Sequence, residues 1–213
     1  MSQKSNDLIA KYESLWDDFV SANLEFEKIL AEHILQGESF HAICARLYGI
    51  PYYKAKGLFE DSPSDSKRNI GSVTGLFFEH FISFVIASIA KKKFPDIQPE
   101  SNKCTDAITR EISRDPDLFL KRGENRVVVE FKVSPKKPDI DYVVQLKSRY
   151  EERNIYYCVV GGHISLDKTE LDVLTRNDWM TFFDSSKRNN DVLRKFKTID
   201  QIMDSIWKKL GGN

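Results

Sequence analysis

Cysteine is scarce in this chain of 213 residues: Cys44, Cys104 and Cys158 stand far apart and form no CxxC pair. An odd, scattered set excludes a zinc knuckle and a disulfide framework, and the three read as core thiols. Long apolar runs are also missing. The longest candidate, LFFEHFISFVIASIA, is interrupted by Glu79 and His80, and none reaches the roughly 18 to 20 residues that a membrane helix needs. The opening MSQKSNDLIAKYESLWDD lacks a basic stretch followed by an apolar core, so no secretory signal is expected and the protein is expected in the cytoplasm. There is no internal repeat and no low-complexity tract. Net charge is absent too, with 32 Lys and Arg against 32 Asp and Glu, so any attraction to phosphate must come from local patches. No Ser/His/Asp or Cys/His constellation stands out, which turns away from metal-independent nucleophilic catalysis.

What is present fits a folded domain. Hydrophobic residues make up 41% and charged residues 30%, an ordinary balance for a chain long enough to bury a core. The charge is uneven: residues 1–60 hold 6 Lys and Arg against 9 Asp and Glu, and residues 71–213 hold 24 against 21. Between these parts lies DSPSDSKRNIGS, residues 61–72, a polar stretch that reads as a linker or surface loop. The chain therefore divides into a helical region over 1–60, a linker over 61–71 and a larger domain over 72–213.

Leu8, Ile9, Tyr12, Leu15, Trp16 and Phe19 recur at helical spacing in the first part. After the linker, GSVTGLFFEHFISFVIASIAKKKF reads as a long, mostly buried helix with a basic end. DLFLKR and RVVVEFKV flank the turn Gly123-Glu124-Asn125 as a hairpin. PDIDYVVQLKSRYEER then carries a helical period, NIYYCVVGG is rich in strand formers, and the tail SSKRNNDVLRKFKTIDQIMDSIWKKL is expected to be helical. Helix, hairpin, helix and strand in that order imply an α/β fold, a mixed β-sheet core flanked by helices.

The run VVVEFKV, residues 127 to 133, poses the chemical question. Glu130 and Lys132 lie two residues apart on a strand, hence on one face and about 6 to 7 Å apart along it. An unpaired charge at a buried position costs several kcal/mol, so the pair needs a partner or solvent. Antiparallel pairing would bring Asp117 near Glu130, placing two carboxylates and an ammonium in one small volume. Two acidic groups suit magnesium, which takes one or two carboxylates and leaves room for substrate phosphate. A lysine beside them can orient a water and offset charge on phosphorus. Other readings stay open: Glu130 and Lys132 could pair with Lys121 or Glu124 on a solvent face, Asp115 or Asp106 could replace Asp117, and Glu79 could be a polar interruption at a helix edge.

Pro116-Asp117, twelve residues, then Glu130-Phe131-Lys132 on a hairpin resembles the PD-(D/E)XK nuclease superfamily, the fold of most type II restriction endonucleases. The resemblance spans about residues 72 to 160 and implies a restriction-endonuclease-like core. It implies Asp117, Glu130 and, from the preceding helix, Glu79 as metal ligands, with Lys132 positioning the attacking water. Gln145 and Tyr150 on the helix after the hairpin are similar to the glutamine and tyrosine that assist the site in some branches.

Residues 34–59, ILQGESFHAICARLYGIPYYKAKGLF, resemble a helix-turn-helix whose second helix, with Tyr52, Tyr53, Lys54 and Lys56, would face DNA. An ordinary helical hairpin is the alternative. Phosphate contacts are expected from Lys67 and Arg68 and from Lys136 and Lys137 after the Glu-Phe-Lys strand, while a basic group at Lys187, Arg188, Arg194, Lys195 and Lys197 could add to them but reads rather as a solvated face. His41 and His163 are assigned no role. The whole predicts a magnesium-dependent type II restriction endonuclease cutting double-stranded DNA as a homodimer. A structure-specific repair or recombination nuclease of the same fold and a non-catalytic helix-turn-helix DNA-binding protein are the rivals.

Overall fold

The structure is a computed structural model that describes residues 66–101, 103–132, 137–161, 180–182 and 197–211. The candidate helix-turn-helix with Tyr52, Tyr53, Lys54 and Lys56 lies outside the described residues, as do Lys136, Lys187, Arg188, Arg194 and Lys195. The chain splits into two compact units, Met1–Ile82 and Ser83–Asn213. The boundary falls inside helix α1, Ser66–Lys93.

Helix α1 begins within the stretch expected as a loop over 61–72. Ser and Asp, which mark turns, are equally the residues that precede and cap a helix, so this composition does not separate a linker from a helix start. Lys67 and Arg68 consequently sit on a helix.

The second unit is built on a six-stranded sheet in the order β1 to β6. Strands β1 (Gln98–Ser101), β2 (Leu118–Arg122) and β3 (Asn125–Lys132) are antiparallel. Strands β4 (Tyr156–Gly161), β5 (Met180–Phe182) and β6 (Lys197–Thr198) continue parallel to β3. The sheet is therefore mixed, as expected. Pro99 in β1 is tolerated because this is an edge strand, where a missing N–H leaves no ladder bond broken. Between β2 and β3 the chain turns at Gly123, whose φ of 57° lies in the left-handed region that glycine reaches without steric cost.

Both sheet faces are covered, which explains why Val127, Val128 and Val129 are all fully buried. Helix α3, Lys137–Glu151, turns Ile140, Val143, Leu146 and Tyr150 inward at helical spacing onto Phe119, Val128, Tyr157 and Val159. Helix α4, Ile199–Lys209, buries Ile202, Met203, Ile206 and Trp207. The expected helical tail is thus helical from Ile199, while Lys197 and Thr198 form β6. A short helix α2, Ala107–Arg110, precedes the hairpin.

Candidate active site

The β2/β3 register pairs Leu118 with Val129 and Phe119 with Val128. Extending it by one residue sets Asp117, just before β2, across from Glu130. Side chains alternate along a strand, so Asp117, Phe119, Val128, Glu130 and Lys132 all point to the α3 face. Leu118, Leu120, Val129 and Phe131 point to the other. Parallel pairing of β3 with β4 places Val159 beside Glu130 and Gly161 beside Lys132. The site sits where the β2 ladder ends and β3 continues.

Asp117 is half-buried and its Oδ2 accepts a hydrogen bond of 2.7 Å from the Phe131 backbone N–H. A side chain thus does what the next backbone carbonyl of β2 would have done, and it anchors the carboxylate at the strand end. Glu130 is 5% exposed, and the Lys132 Nζ lies 3.6 Å from its Oε2. Burial pushes the Glu130 carboxyl up from its ordinary value to about 8, with the charge of the adjacent Asp117 adding to the rise and Lys132 opposing it. The Glu130 carboxyl therefore favours its protonated form at neutral pH.

The solvent-face reading of this strand fails. Lys121, which it offered as a cross-strand partner, binds the Asp106 carboxylate at 3.0 Å, and Glu124 faces Arg126 at 3.6 Å. Asp106 is not a free ligand either. It caps α2 by accepting from the Thr109 N–H at 3.0 Å and it pairs with both Lys121 and Arg126. Asp115 is exposed.

Glu79 is half-buried on α1, in the first unit. Among the described residues no group of three or more His, Cys, Asp or Glu is placed to hold a metal ion, and Asp117 and Glu130 form a pair. Lys137 opens α3. Gln145 is exposed on the outer side of α3, whereas Tyr150 is fully buried, its ring stacked on Tyr157 at 5.2 Å between centroids and 14° between planes. Burial first, then the charge of Glu130, pushes both phenols above their ordinary value. Tyr157 was not anticipated at the site. Its position follows from the parallel β3/β4 register, Val128 opposite Tyr157, and nothing local in NIYYCVVGG announces that register.

No family model matches the chain, and no curated protein matches it. Among solved structures it is similar to the restriction endonuclease PspGI in complex with its substrate DNA, with a TM-score of 0.59 at 12% identity, over 93% of this chain and 92% of that one. The fold is accordingly restriction-endonuclease-like, a mixed sheet flanked by helices. No helix among the described residues is long and apolar enough to cross a membrane.

Proposed function

We propose that this protein is a magnesium-dependent, sequence-specific double-stranded DNA endonuclease of the PD-(D/E)XK superfamily, a type II restriction enzyme working as a homodimer. The observation that carries the proposal is the facing pair Asp117 and Glu130, with Lys132 on the same face of β3. A fold shared with a restriction endonuclease solved on its substrate DNA supports it.

The donor set fits a hard divalent cation. Two carboxyls held side by side, one driven towards protonation by burial and by its neighbour, form an arrangement that a cation bound through oxygen would relieve. Asp117 and Glu130 would hold magnesium, which when bound supplies Lewis-acid stabilisation to the scissile phosphate. Glu79 is proposed as a further acid on the sequence pattern alone.

The chain's own groups divide the remaining work. The Phe131 N–H fixes the Asp117 carboxylate, which spares the site reorganisation when substrate arrives. Lys132, held beside Glu130, orients the attacking water and places a cation near the oxygens where charge accumulates. In-line attack forms the new bond to phosphorus and breaks the bond to the 3′ oxygen, leaving a 5′-phosphate and a 3′-hydroxyl. Tyr52, Tyr53, Lys54, Lys56, Lys67, Arg68, Lys136 and Lys137 are the proposed DNA contacts.

The test is incubation of wild type and Lys132→Ala with unmethylated plasmid or phage DNA, in magnesium and in EDTA. Discrete fragments from wild type with magnesium alone are expected. Cutting confined to branched substrates would replace the restriction reading with a structure-specific one, and intact DNA in every lane would overturn the nuclease.

A further inference from the structure

The basic ends of two helices converge at the far end of the sheet from the acid pair. Helix α1 finishes in Lys91, Lys92 and Lys93, and α4 finishes in Lys208 and Lys209, all exposed. Packing locks these ends together. The Phe94 and Trp207 rings lie 6.0 Å apart, the Lys93 Nζ sits 5.8 Å over the Trp207 ring, and the Arg122 guanidinium lies 4.5 Å over Phe94. Arg122 Nη1 also donates to the Leu210 carbonyl at 2.9 Å.

Charge balance at this end favours the cations. Asp96 is engaged by Arg122 Nε at 3.0 Å, Asp204 stands one turn before Lys208 on α4, and of the two acids that line a cavity with Lys209, Glu151 pairs with Lys147 and Glu124 lies 3.6 Å from Arg126. Among the described residues no ion pair of Lys91, Lys93 or Lys208 occurs. In a chain of zero net charge such a group is a local concentration, not a share of a general excess. The patch also lacks an apolar anchor. Phe94, Trp207 and Leu210 are buried, and the exposed large hydrophobics among the described residues, Ile108 and Tyr142, lie on other elements. A membrane surface is usually met by an amphipathic element with exposed apolar side chains, whereas a phosphate backbone needs only fixed cations.

We propose that the converging ends of α1 and α4 form a second, sequence-independent contact for the phosphates of duplex DNA, apart from the acid pair. The Arg122–Asn125 row of the hairpin lies five residues along from the Asp117–Glu130 row, about 17 Å at strand spacing. The phosphate being cut and the phosphates held here are therefore different ones. The lysines of α1 and α4 add affinity and leave the choice of sequence to other residues.

The experiment compares the full-length wild type with a Lys91→Gln/Lys93→Gln/Lys208→Gln variant. Binding to a labelled random-sequence duplex is titrated over a range of salt in EDTA, so that cleavage plays no part. The variant is expected to bind about tenfold more weakly at low salt, with the slope of log K against log salt smaller by about 2 to 3, near 0.9 for each phosphate that a lysine no longer neutralises. Unchanged affinity and slope overturn the proposal, including the case where only the melting temperature falls, which would make the lysines partners of the helix dipoles alone. Binding to anionic vesicles with none to duplex overturns it as well. Plasmid cleavage is scored separately, so weakened binding without any cutting by wild type would uphold this surface while the nuclease fails.

Discussion

Asp117 stands across from Glu130 one residue beyond the end of β2, and its carboxylate takes the hydrogen bond of the Phe131 N–H at 2.7 Å. Two acids are thereby held together by backbone that neither can leave. Glu130, buried and beside Asp117, has its carboxyl raised from 4.5 to about 8. An acid whose folded value is raised favours the protonated form, so its ionisation weakens the fold as pH climbs from about 4.5 to about 8 and not below that window. In EDTA the wild type should lose stability across it, by at most about 1.4 kcal/mol per pH unit. Glu130→Gln should remove that slope and raise the melting temperature at pH 8. A flat wild-type profile would refute the acid-pair description.

Magnesium should reverse the same penalty. A ligand that binds only the folded state adds stability as its concentration exceeds its dissociation constant, about 2.7 kcal/mol at a hundredfold excess. Thermal melts with and without magnesium should show a rise for wild type and none for Asp117→Asn. Equal rises for both would remove Asp117 from the proposed ligand set.

Asp106 answers for stability and not for chemistry. Burial would raise its carboxyl, yet the Thr109 N–H, Lys121 and Arg126 together hold it down at about 2. A depressed acid contributes stability that is present above its unfolded value near 3.8 and is lost as pH falls towards 2. That contribution is on the order of 2 kcal/mol. Asp106→Ala, which also strands two cations and removes a cap, should cost about 3 kcal/mol in urea unfolding. The purified variant should still cut DNA at temperatures where it is folded, and a folded but inactive variant would return Asp106 to the site.

Arg122 ties three parts of the second unit together: the Asp96 loop, the Phe94 ring and the carbonyls of Leu210 and Gly211 at the end of α4. Planar, forked donors make this possible, and an ammonium cannot copy them. Arg122→Lys should therefore destabilise almost as much as Arg122→Ala, by about 1 to 3 kcal/mol. Full rescue by lysine in chemical unfolding would show that charge alone matters there.

The hairpin, the α3 helix and the acid pair were legible in the sequence because each rests on local signals. Gly123 marks the turn, the period of Ile140, Val143 and Leu146 marks the helix, and the turn, expected over Gly123-Glu124-Asn125 and one residue shorter in the structure because Asn125 opens β3, sets the register that brings Asp117 to Glu130. β1 was not legible: Gln-Pro-Glu-Ser is a poor strand former, and pairing with β2 imposes its conformation. Nor was the role of Asp106, since its partners Lys121 and Arg126 are 15 and 20 residues away in sequence and meet it only in the folded hairpin.

Tyr150 separates what a pattern suggests from what packing allows. Among the described residues its buried hydroxyl makes no hydrogen bond of ordinary geometry, with Ser113 the side chain near enough to act on it, while its ring stacks on Tyr157. A buried hydroxyl left unsatisfied costs free energy that the ring alone does not. Tyr150→Phe keeps the stacking and the volume, so it should leave the protein as stable as wild type or more so, by about 1 kcal/mol. Measured beside it, the cleavage rate decides the hydroxyl's role at the site, because a phenol that serves the Glu130 pair should lower turnover when removed without lowering the melting temperature. A loss of stability in Tyr150→Phe would mean that the hydroxyl has found a partner within the folded protein, with Ser113 the side chain to test next.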